Sequence, residues 1–382
     1  MSFFPRRLLG AALLAGALAS CSKSSAPTPA SPPATAQQEV GVSGTHLTLN
    51  GAPWLPKGLV IRGFVATPAF LQQSLPLTYR ARQNFGLDEL TAARSFGADV
   101  LRFQVSQPAL DPQSALYNAQ YEQDVLAAIR LARQQGFVVD LSLQDETQSG
   151  DPSPQPLLTA ASVRDWDRLN AQFGTDRGVL FELYNEPRIS ATAAGWQRWA
   201  QGDAGAATAT SAVGMQTLVT RLRAAGCQNV LLADGLELAT TLQGVPLLAD
   251  PLGRVVYAVH PYLHGSADES HWDAQFGQLS QTQPVYCSEW SAGVGSHLGL
   301  GKLPSYQPAV DLVNYLRTHG IGLSAGAFDV NGVIALGPPT WTPNTYDNYV
   351  PGDSTSTHGA GQLIHTAFTT NYARPLTPAD GL

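Results

Sequence analysis

Short apolar runs and amphipathic segments alternate eight times along this 382-residue chain, and this alternation limits the possible folds more than any other feature. A strand that is buried on both faces reads as a nearly continuous apolar run. Strands that alternate with helices form parallel βα units. Eight such units predict an α/β fold, the (β/α)8 TIM barrel, in which the strands form the inner wall.

The predicted elements follow from this pattern. The strands are predicted at residues 57–63, 99–106, 137–143, 179–184, 229–233, 255–260, 285–289 and 322–329. The helices are predicted at residues 87–96, 119–135, 163–173, 194–201, 212–225, 236–242, 270–281, 307–319 and 358–369. Residues 40–50 alternate loosely before a turn signal at Asn50-Gly51, which predicts a short N-terminal β-hairpin across the barrel floor.

Two predicted strands end in a carboxylate. The fourth runs into Asn185, Glu186 and a proline that prevents further regular pairing, and the seventh ends at Glu289. Active sites of TIM-barrel enzymes lie at the carboxyl ends of the strands. Two carboxyl groups that meet there can cleave a glycosidic bond. One protonates the leaving oxygen, and the other attacks the sugar or activates water.

The strand ends together resemble glycoside hydrolase family 5, the cellulase family of retaining clan A TIM-barrel glycosidases. The residues that carry the resemblance are Arg102, Asn185, Glu186, His260, Tyr262 and Glu289. The resemblance implies that Glu186 is the general acid/base and that Glu289 is the nucleophile of a double displacement.

Supporting roles also follow from the resemblance, and each has a structural alternative. Arg102 and Tyr262 would keep Glu289 ionised, although Arg102 could instead form an internal ion pair and Tyr262 could be a packing residue. Asn185 would bind the sugar 2-hydroxyl. His260 would complete the polar wall, or would be a core histidine. Glu182, four residues before Glu186, is expected to be a buried structural carboxylate.

Two positions depart from the family pattern. The third strand leads to Gln144, where the family has a histidine; glutamine can bond a sugar hydroxyl but cannot carry charge. The eighth strand lacks the family's tryptophan, so Phe328 or Trp341 would supply the sugar platform, or the site would be more open. Trp290 could be a core residue or a platform. Other aromatic residues either rim the cleft or pack within loops: Phe64, Phe70, Tyr79, Tyr346 and Tyr349.

The N-terminus predicts export. Two arginines precede an uncharged apolar stretch, residues 8–19, that is short for a membrane span. The sequence Leu-Ala-Ser-Cys that ends at Cys21 resembles the lipobox of bacterial lipoproteins. The resemblance implies a signal peptide at 1–20, acylation of Cys21 and attachment to the outer membrane, on its periplasmic or cell-surface face. An ordinary secretory signal is the alternative. Residues 21–39 predict a disordered tether, so the hydrolase domain would span 40–382.

Several function classes are disfavoured. The net charge is −7 and no basic cluster occurs, so no nucleic-acid partner is expected. The chain has no metal-ligand spacing, phosphate loop or dinucleotide fingerprint, so neither a metal nor a cofactor is expected. Cys227 precedes the fifth strand and Cys287 lies near the end of the seventh, at opposite ends of a barrel. They are therefore predicted to be buried free thiols.

These features predict a lipid-anchored, monomeric O-glycosyl hydrolase that retains anomeric configuration. Its substrate would be a β-glucan or mannan, cut internally or near an end. Two alternatives stay open. One is a barrel that binds glycan without hydrolysing it. The other is a related retaining enzyme that acts on xylan or a small glycoside.

Overall fold

Parallel strands close into a barrel in the computed structural model of the chain, which describes residues 38–65, 85–205, 208–262, 268–291, 306–337, 340–346 and 359–381. An antiparallel sheet comes first: β1 (Val40–Ser43), β2 (His46–Leu49) and β3 (Ala52–Pro53). The barrel strands follow: β4 (Lys57–Ile61), β5 (Val100–Ser106), β6 (Val138–Gln144), β7 (Val179–Glu182), β8 (Leu231–Asp234), β9 (Val255–Val259), β10 (Val285–Trp290) and β11 (Gly322–Ala325). A two-stranded ribbon comes last: β12 (Ala335–Leu336) and β13 (Thr342–Pro343).

The barrel confirms the predicted TIM fold. Its strand order is β10-β11-β4-β5-β6-β7-β8-β9, and every neighbouring pair is parallel. All eight strands start and end near their predicted bounds except the last, which ends at Ala325 instead of residue 329. The carboxyl ends of these strands meet at one mouth, where a TIM barrel carries its active site.

The helices form the outer layer. They are α1 (Leu87–Ser95), α2 (Gln107–Leu110), α3 (Ala119–Gln134), α4 (Ala160–Phe173), α5 (Ala193–Gln201), α6 (Met215–Ala224), α7 (Leu236–Ala239), α8 (Glu269–Trp272), α9 (Gln278–Ser280), α10 (Gln307–Thr318) and α11 (Gly361–Thr369). The starts of α3 and α4 are capped by the side chains of Asn118 and Thr159.

Two predicted helices differ from the structure. The segment expected as one helix at 270–281 is divided into α8, a π-helical turn at Asp273–Gly277 and α9. The helix expected at 236–242 is reduced to α7, in which Glu237 and Leu238 have φ of 55° and 63°. Hydrogen bonds to the loop after β7 hold these left-handed residues, because Glu237 N–H donates to Ile189 and Leu238 N–H to Pro187.

The N-terminal sheet closes the floor of the barrel, as predicted. Val40 and Leu47 are buried against Val100 and Val138, which begin the strands β5 and β6. The turn signal Asn50-Gly51 connects β2 to β3, with φ of 53° and 81°, so the sheet has one strand more than the predicted hairpin.

Both domain cysteines agree with the prediction. Cys227 and Cys287 are buried and free. Within the described residues, no helix is long and apolar enough to cross a membrane.

Candidate active site

Glu289 lies on β10 and points into the barrel mouth, where three side chains hold its carboxylate. Arg102 Nη1 lies 2.5 Å from Oε2, Gln104 Nε2 also donates to Oε2, and the Tyr262 hydroxyl donates to Oε1 at 2.5 Å. Burial alone would raise the pKa of Glu289, but the charges of Arg102 and His260 and the Tyr262 hydrogen bond lower it to about 2. Glu289 is therefore a carboxylate throughout the neutral range, as a nucleophile must be.

Arg102 connects this carboxylate to a second one deeper in the barrel. The fully buried guanidinium forms a two-point contact with Glu182, from Nε to Oε2 at 2.6 Å and from Nη2 to Oε1 at 2.8 Å. Burial would lower the pKa of Arg102, but Glu182 and Glu289 raise it well above its usual value. Arg102 is thus both the ion-pair partner of Glu182 and a hydrogen-bond donor to Glu289. Glu182 is the buried structural carboxylate that the sequence predicts.

Glu186 reaches the same cleft because the chain bends after β7. Successive strand residues point to opposite sides, so Asn185 and Glu186 share the cleft only if the strand has ended. It ends at Glu182, and Glu186 has a left-handed φ of 53°. The Glu186 N–H donates to Asp234 Oδ2 at 3.0 Å and fixes the bend. The Glu186 side chain is 19% exposed, so it is open to the cleft.

His260 lies close to the carboxyl groups of both Glu186 and Glu289. Its Nδ1 is 3.0 Å from Glu186 Oε1, and its Nε2 is 2.9 Å from Ser288 Oγ. Ser288 in turn donates to Glu182 Oε1 at 3.0 Å. Burial would lower the pKa of His260, but the hydrogen-bonded Glu182 and Glu186 raise it well above its usual value. His260 thus lies in the polar wall between Glu182 and Glu186.

The two carboxyl groups are close together. One oxygen each of Glu186 and Glu289 and one nitrogen of His260 all lie within 4.8 Å of one another. Retaining glycosidases hold their carboxyl groups about 5–5.5 Å apart, whereas inverting enzymes need about 6.5–9.5 Å to admit a water molecule. The spacing fits direct attack on the sugar.

Asn185 is held between charged groups of opposite sign. Its Oδ1 accepts a hydrogen bond from Arg102 Nη2 at 2.7 Å, and its Nδ2 donates to Glu146 Oε1 at 2.8 Å. Glu146 is half-buried, and burial together with the negative charges of Glu186 and Glu289 raises its pKa to about 7. One N–H of Asn185, which was expected to bind the sugar 2-hydroxyl, is thus already bonded to protein.

Two glutamines at the mouth have unused hydrogen-bonding atoms. Gln144, the last residue of β6, is 1% exposed, and neither its amide nitrogen nor its oxygen has a partner among the described residues. Gln104 donates to Glu289, but its oxygen has no partner in the part of the chain that the structure describes. A buried polar atom without a hydrogen bond costs about 1–3 kcal/mol, so sugar hydroxyls would be favourable partners here.

Two of the three aromatic residues predicted as possible sugar platforms, Phe328 and Trp290, are buried in the core. Phe328 is fully buried between Phe96 and Trp341, with ring centroids at 5.1 Å from each, so the prediction that it could stack on a sugar is wrong. It is turned outward because β11 ends at Ala325 and the chain no longer alternates regularly. Trp290 is fully buried, so of its two predicted roles, core residue or sugar platform, the structure favours the core residue. Trp341 is half-buried, with one face covered by Phe328.

The expected aromatic rim is also smaller than predicted. Phe64 is buried against Phe85 and Phe103, and Tyr346 is buried against Tyr306, so both belong to packing. Other residues named in the sequence analysis lie outside the described residues: Cys21, Phe70, Tyr79 and Tyr349.

Three residues at the site were missed. Gln104 follows Arg102 by two positions, and this period places both side chains on the inner face of β5. Asp234 ends β8, and a strand-end carboxylate was the same signal that identified Glu289. Glu146 lies in the loop after β6, where no periodicity indicates which way a side chain points.

Among the described residues, two groups of side chains have the spacing of metal ligands. One comprises Glu182, Asp234 and His260, and the other comprises Glu186, His260 and Glu289. His260 belongs to both, and a metal ion bound there would compete with a proton for a ring nitrogen of His260.

Comparison with known proteins gives a family for this arrangement. Residues 87–331 match the model of Cellulase (glycosyl hydrolase family 5). A curated relative is the manganese dependent endoglucanase Eg5A of Phanerodontia chrysosporium. It is 24% identical over an alignment of 272 residues, which covers 64% of this chain and 66% of that protein, slightly under two thirds of its length.

Solved structures share the fold. The β-glucanase SdGluc5_26A from Saccharophagus degradans, solved with cellotetraose, superimposes with a TM-score of 0.61 at 18% identity, covering 91% of this chain and 98% of that one. The β-mannanase from Thermomonospora fusca gives a TM-score of 0.51 at 17% identity, covering 76% and 84%. The family match over residues 87–331, on a closed eight-stranded barrel, shows that this chain belongs to glycosyl hydrolase family 5, the cellulase family.

Proposed function

We propose that this protein is a retaining β-glycoside hydrolase in which Glu289 is the nucleophile and Glu186 is the general acid/base. The observation that carries the proposal is the pair of carboxyl groups within 4.8 Å in unlike surroundings. Arg102, Gln104 and Tyr262 bind Glu289 as a carboxylate. Glu186 is more open to the cleft, and its Oε1 lies 3.0 Å from His260 Nδ1.

The reaction proceeds in two displacements. In the first, a Glu289 oxygen bonds to the anomeric carbon while the glycosidic C–O bond breaks, and Glu186 gives its proton to the leaving oxygen. In the second, Glu186 takes a proton from water as that water attacks the anomeric carbon and releases Glu289. Two inversions restore the original configuration. Arg102 and Tyr262 hold the nucleophile in place in both steps.

A β-linked glucan is the favoured substrate. The curated relative is named an endoglucanase, and the Saccharophagus degradans neighbour is a β-glucanase solved with cellotetraose. A β-mannan is the second candidate, because β-mannanases share the barrel. Internal cleavage is proposed on the same likeness to endoglucanases.

The first experiment measures reducing-sugar release from β-glucans, mannans and xylans, with Glu186→Gln and Glu289→Gln alongside. The exposed Glu269→Gln is the matched control. Turnover of β-glucan that both site variants lose and the control keeps is expected. Glycan binding without any turnover would instead indicate a binding protein. Turnover that survives both site substitutions would contradict the assigned site.

Azide rescue separates the two roles. In Glu289→Ala, azide replaces the nucleophile and a single inversion gives an α-glycosyl azide from a β-glycoside. In Glu186→Ala, the covalent intermediate still forms on a substrate with a good leaving group, and azide attack then gives the β-glycosyl azide. The opposite pair of products would exchange the roles of Glu186 and Glu289.

We also propose that the protein is exported and anchored through acylated Cys21, because the sequence before it resembles a lipobox. Detergent phase partition tests this. The wild type should enter the detergent phase and Cys21→Ser should remain in water. Equal partition of both proteins would favour an ordinary secretory signal.

A further inference from the structure

The loop after β6 brings one further carboxyl group to the catalytic mouth. Glu146 precedes a 3-10 turn at Thr147–Ser149, and Ser149 N–H bonds back to the Glu146 carbonyl at 2.9 Å. The neighbouring Asp145 accepts the Gln155 N–H at 2.8 Å. The backbone that carries Glu146 is therefore fixed on both sides, and its side chain has a defined place.

Glu146 is the outer end of a hydrogen-bonded series that leads to the nucleophile. Its Oε1 binds Asn185 Nδ2, Asn185 Oδ1 binds Arg102 Nη2, and Arg102 Nη1 binds Glu289. The guanidinium must face the amide oxygen and the carboxylate must face the amide nitrogen. Together they prevent rotation of the amide beside the reacting sugar.

Charged groups surround Glu146 from several elements. Glu186 from the loop after β7 and Glu289 from β10 oppose its ionisation, while Arg62 and Arg188 favour it. Burial and these two like charges together raise the pKa of Glu146 to about 7.

We propose that Glu146 is a positioning residue of the reaction, which fixes the orientation of the Asn185 amide. The inference rests on the proposed function. It gives the loop after β6 a role in place of the histidine that the family pattern has there.

Two substitutions separate hydrogen bonding from charge. Glu146→Gln keeps an oxygen for Asn185 but removes the charge, whereas Glu146→Leu removes both. Glu39→Gln is the matched control, because Glu39 is an exposed carboxylate in an ion pair with Arg177, next to the N-terminal sheet on the barrel floor. kcat and KM are measured for each with cellotetraose and with a dinitrophenyl β-cellobioside.

Glu146→Gln should keep a kcat close to that of the wild type on both substrates, because its amide oxygen still accepts the hydrogen bond from Asn185. Glu146→Leu should lose about tenfold in kcat on both substrates, since the amide is no longer held. The control should match the wild type.

The failures are distinguishable. A Glu146→Leu kcat equal to that of the wild type overturns the role of Glu146, while wild-type turnover upholds the proposed function. A Glu146→Leu kcat equal to that of Glu146→Gln overturns the positioning of Asn185. Lack of wild-type turnover on both substrates overturns the proposed function and this inference with it.

Discussion

Arg102 connects the carboxylate inside the barrel to the carboxylate at its mouth. Its guanidinium joins Glu182 inside the barrel to Glu289 at the mouth, and a further contact reaches Asn185. Five N–H donors in a planar fork allow this, and a lysine with its single ammonium group does not offer the same geometry. Glu289 is therefore held by the same guanidinium that pairs with Glu182 in the barrel interior.

Tyr262 should set the acid limb of the pH profile. Its hydroxyl donates to the charged form of Glu289, so Tyr262→Phe should raise the pKa of that carboxyl from about 2. Glu289 must be ionised to attack, so the acid limb of kcat/KM should move to higher pH. A hydrogen bond to a charged group is worth about 1.5–3 kcal/mol, so we expect kcat/KM to fall by about 10- to 100-fold.

The measurement is kcat/KM between pH 3 and 8 on the substrate that the wild type turns over. The control is Tyr117→Phe, because Tyr117 bonds Glu122 away from the barrel mouth. An acid limb that stays in place in Tyr262→Phe would show that Tyr262 does not act on Glu289.

Glu182 should matter for stability. Glu182→Gln leaves Arg102 buried with part of its charge uncompensated, which should cost about 3–5 kcal/mol of unfolding free energy. Burial would raise the pKa of Glu182, but Arg102 and His260 lower it below its ordinary value of 4.5. Because the pKa is depressed, this stabilisation is present above pH 4.5 and is lost as pH falls below it.

Urea unfolding at pH 7 and at pH 3.5 tests both statements. The difference between wild type and Glu182→Gln should be large at pH 7 and smaller at pH 3.5. Glu122→Gln is the control, because its ion pair with Arg168 is partly exposed and should be worth about 0–1 kcal/mol. A difference that grows at low pH would contradict the depressed pKa.

At the scale of elements, the inner wall of the barrel leaves little room near its floor. A methyl group added to Gly58 on β4 would lie 2.0 Å from Ser324 Oγ and 2.9 Å from the Tyr286 hydroxyl. Those two hydroxyl groups bond each other at 2.5 Å across β10 and β11. The glycine is required by the close approach of three strands, not by its backbone angles.

Gly58→Ala should therefore destabilise the fold by about 1–3 kcal/mol, the usual cost of overfilling a packed interior. Gly337→Ala is the control, since its added methyl group meets only Asn331 at 3.4 Å. Thermal unfolding of both variants is the measurement. A melting temperature for Gly58→Ala equal to that of the control would mean that the Ser324 side chain moves aside without cost.

Elements differ in how far the sequence predicts them. The sequence predicts the barrel strands to within a few residues because their apolar runs are buried on both faces. It does not predict the conformation of residues 236–242. Their apolar pattern suits a helix, while their left-handed residues are held by hydrogen bonds to the loop after β7. Local propensity loses to tertiary contact in such a segment.

At the scale of the molecule, the barrel separates its two buried thiols. Cys227 precedes β8, whereas Cys287 is inside β10 close to the site. Burial raises the pKa of both thiols, so neither is a reactive thiolate at neutral pH.

A Cys21→Ser protein should accordingly react with a thiol reagent such as Ellman's only when denatured, and then at both domain cysteines. Reducing agent should not change its melting temperature, because no disulfide links the pair. Labelling of the native protein at either cysteine would contradict the burial, and a melting temperature lowered by reductant would contradict the free thiols.

The sequence alone determined the barrel, a hairpin at its floor and the free thiols, and it predicted the pair Glu186 and Glu289 as the catalytic residues. Strand alternation and residues at strand ends are local signals, and the closed barrel brings all strand ends to one mouth. Only the tertiary structure decided that Phe328 turns outward and that Gln104, Asp234 and Glu146 belong to the site. Once a strand has ended, no period tells which way a side chain points, and contacts between distant loops decide its direction.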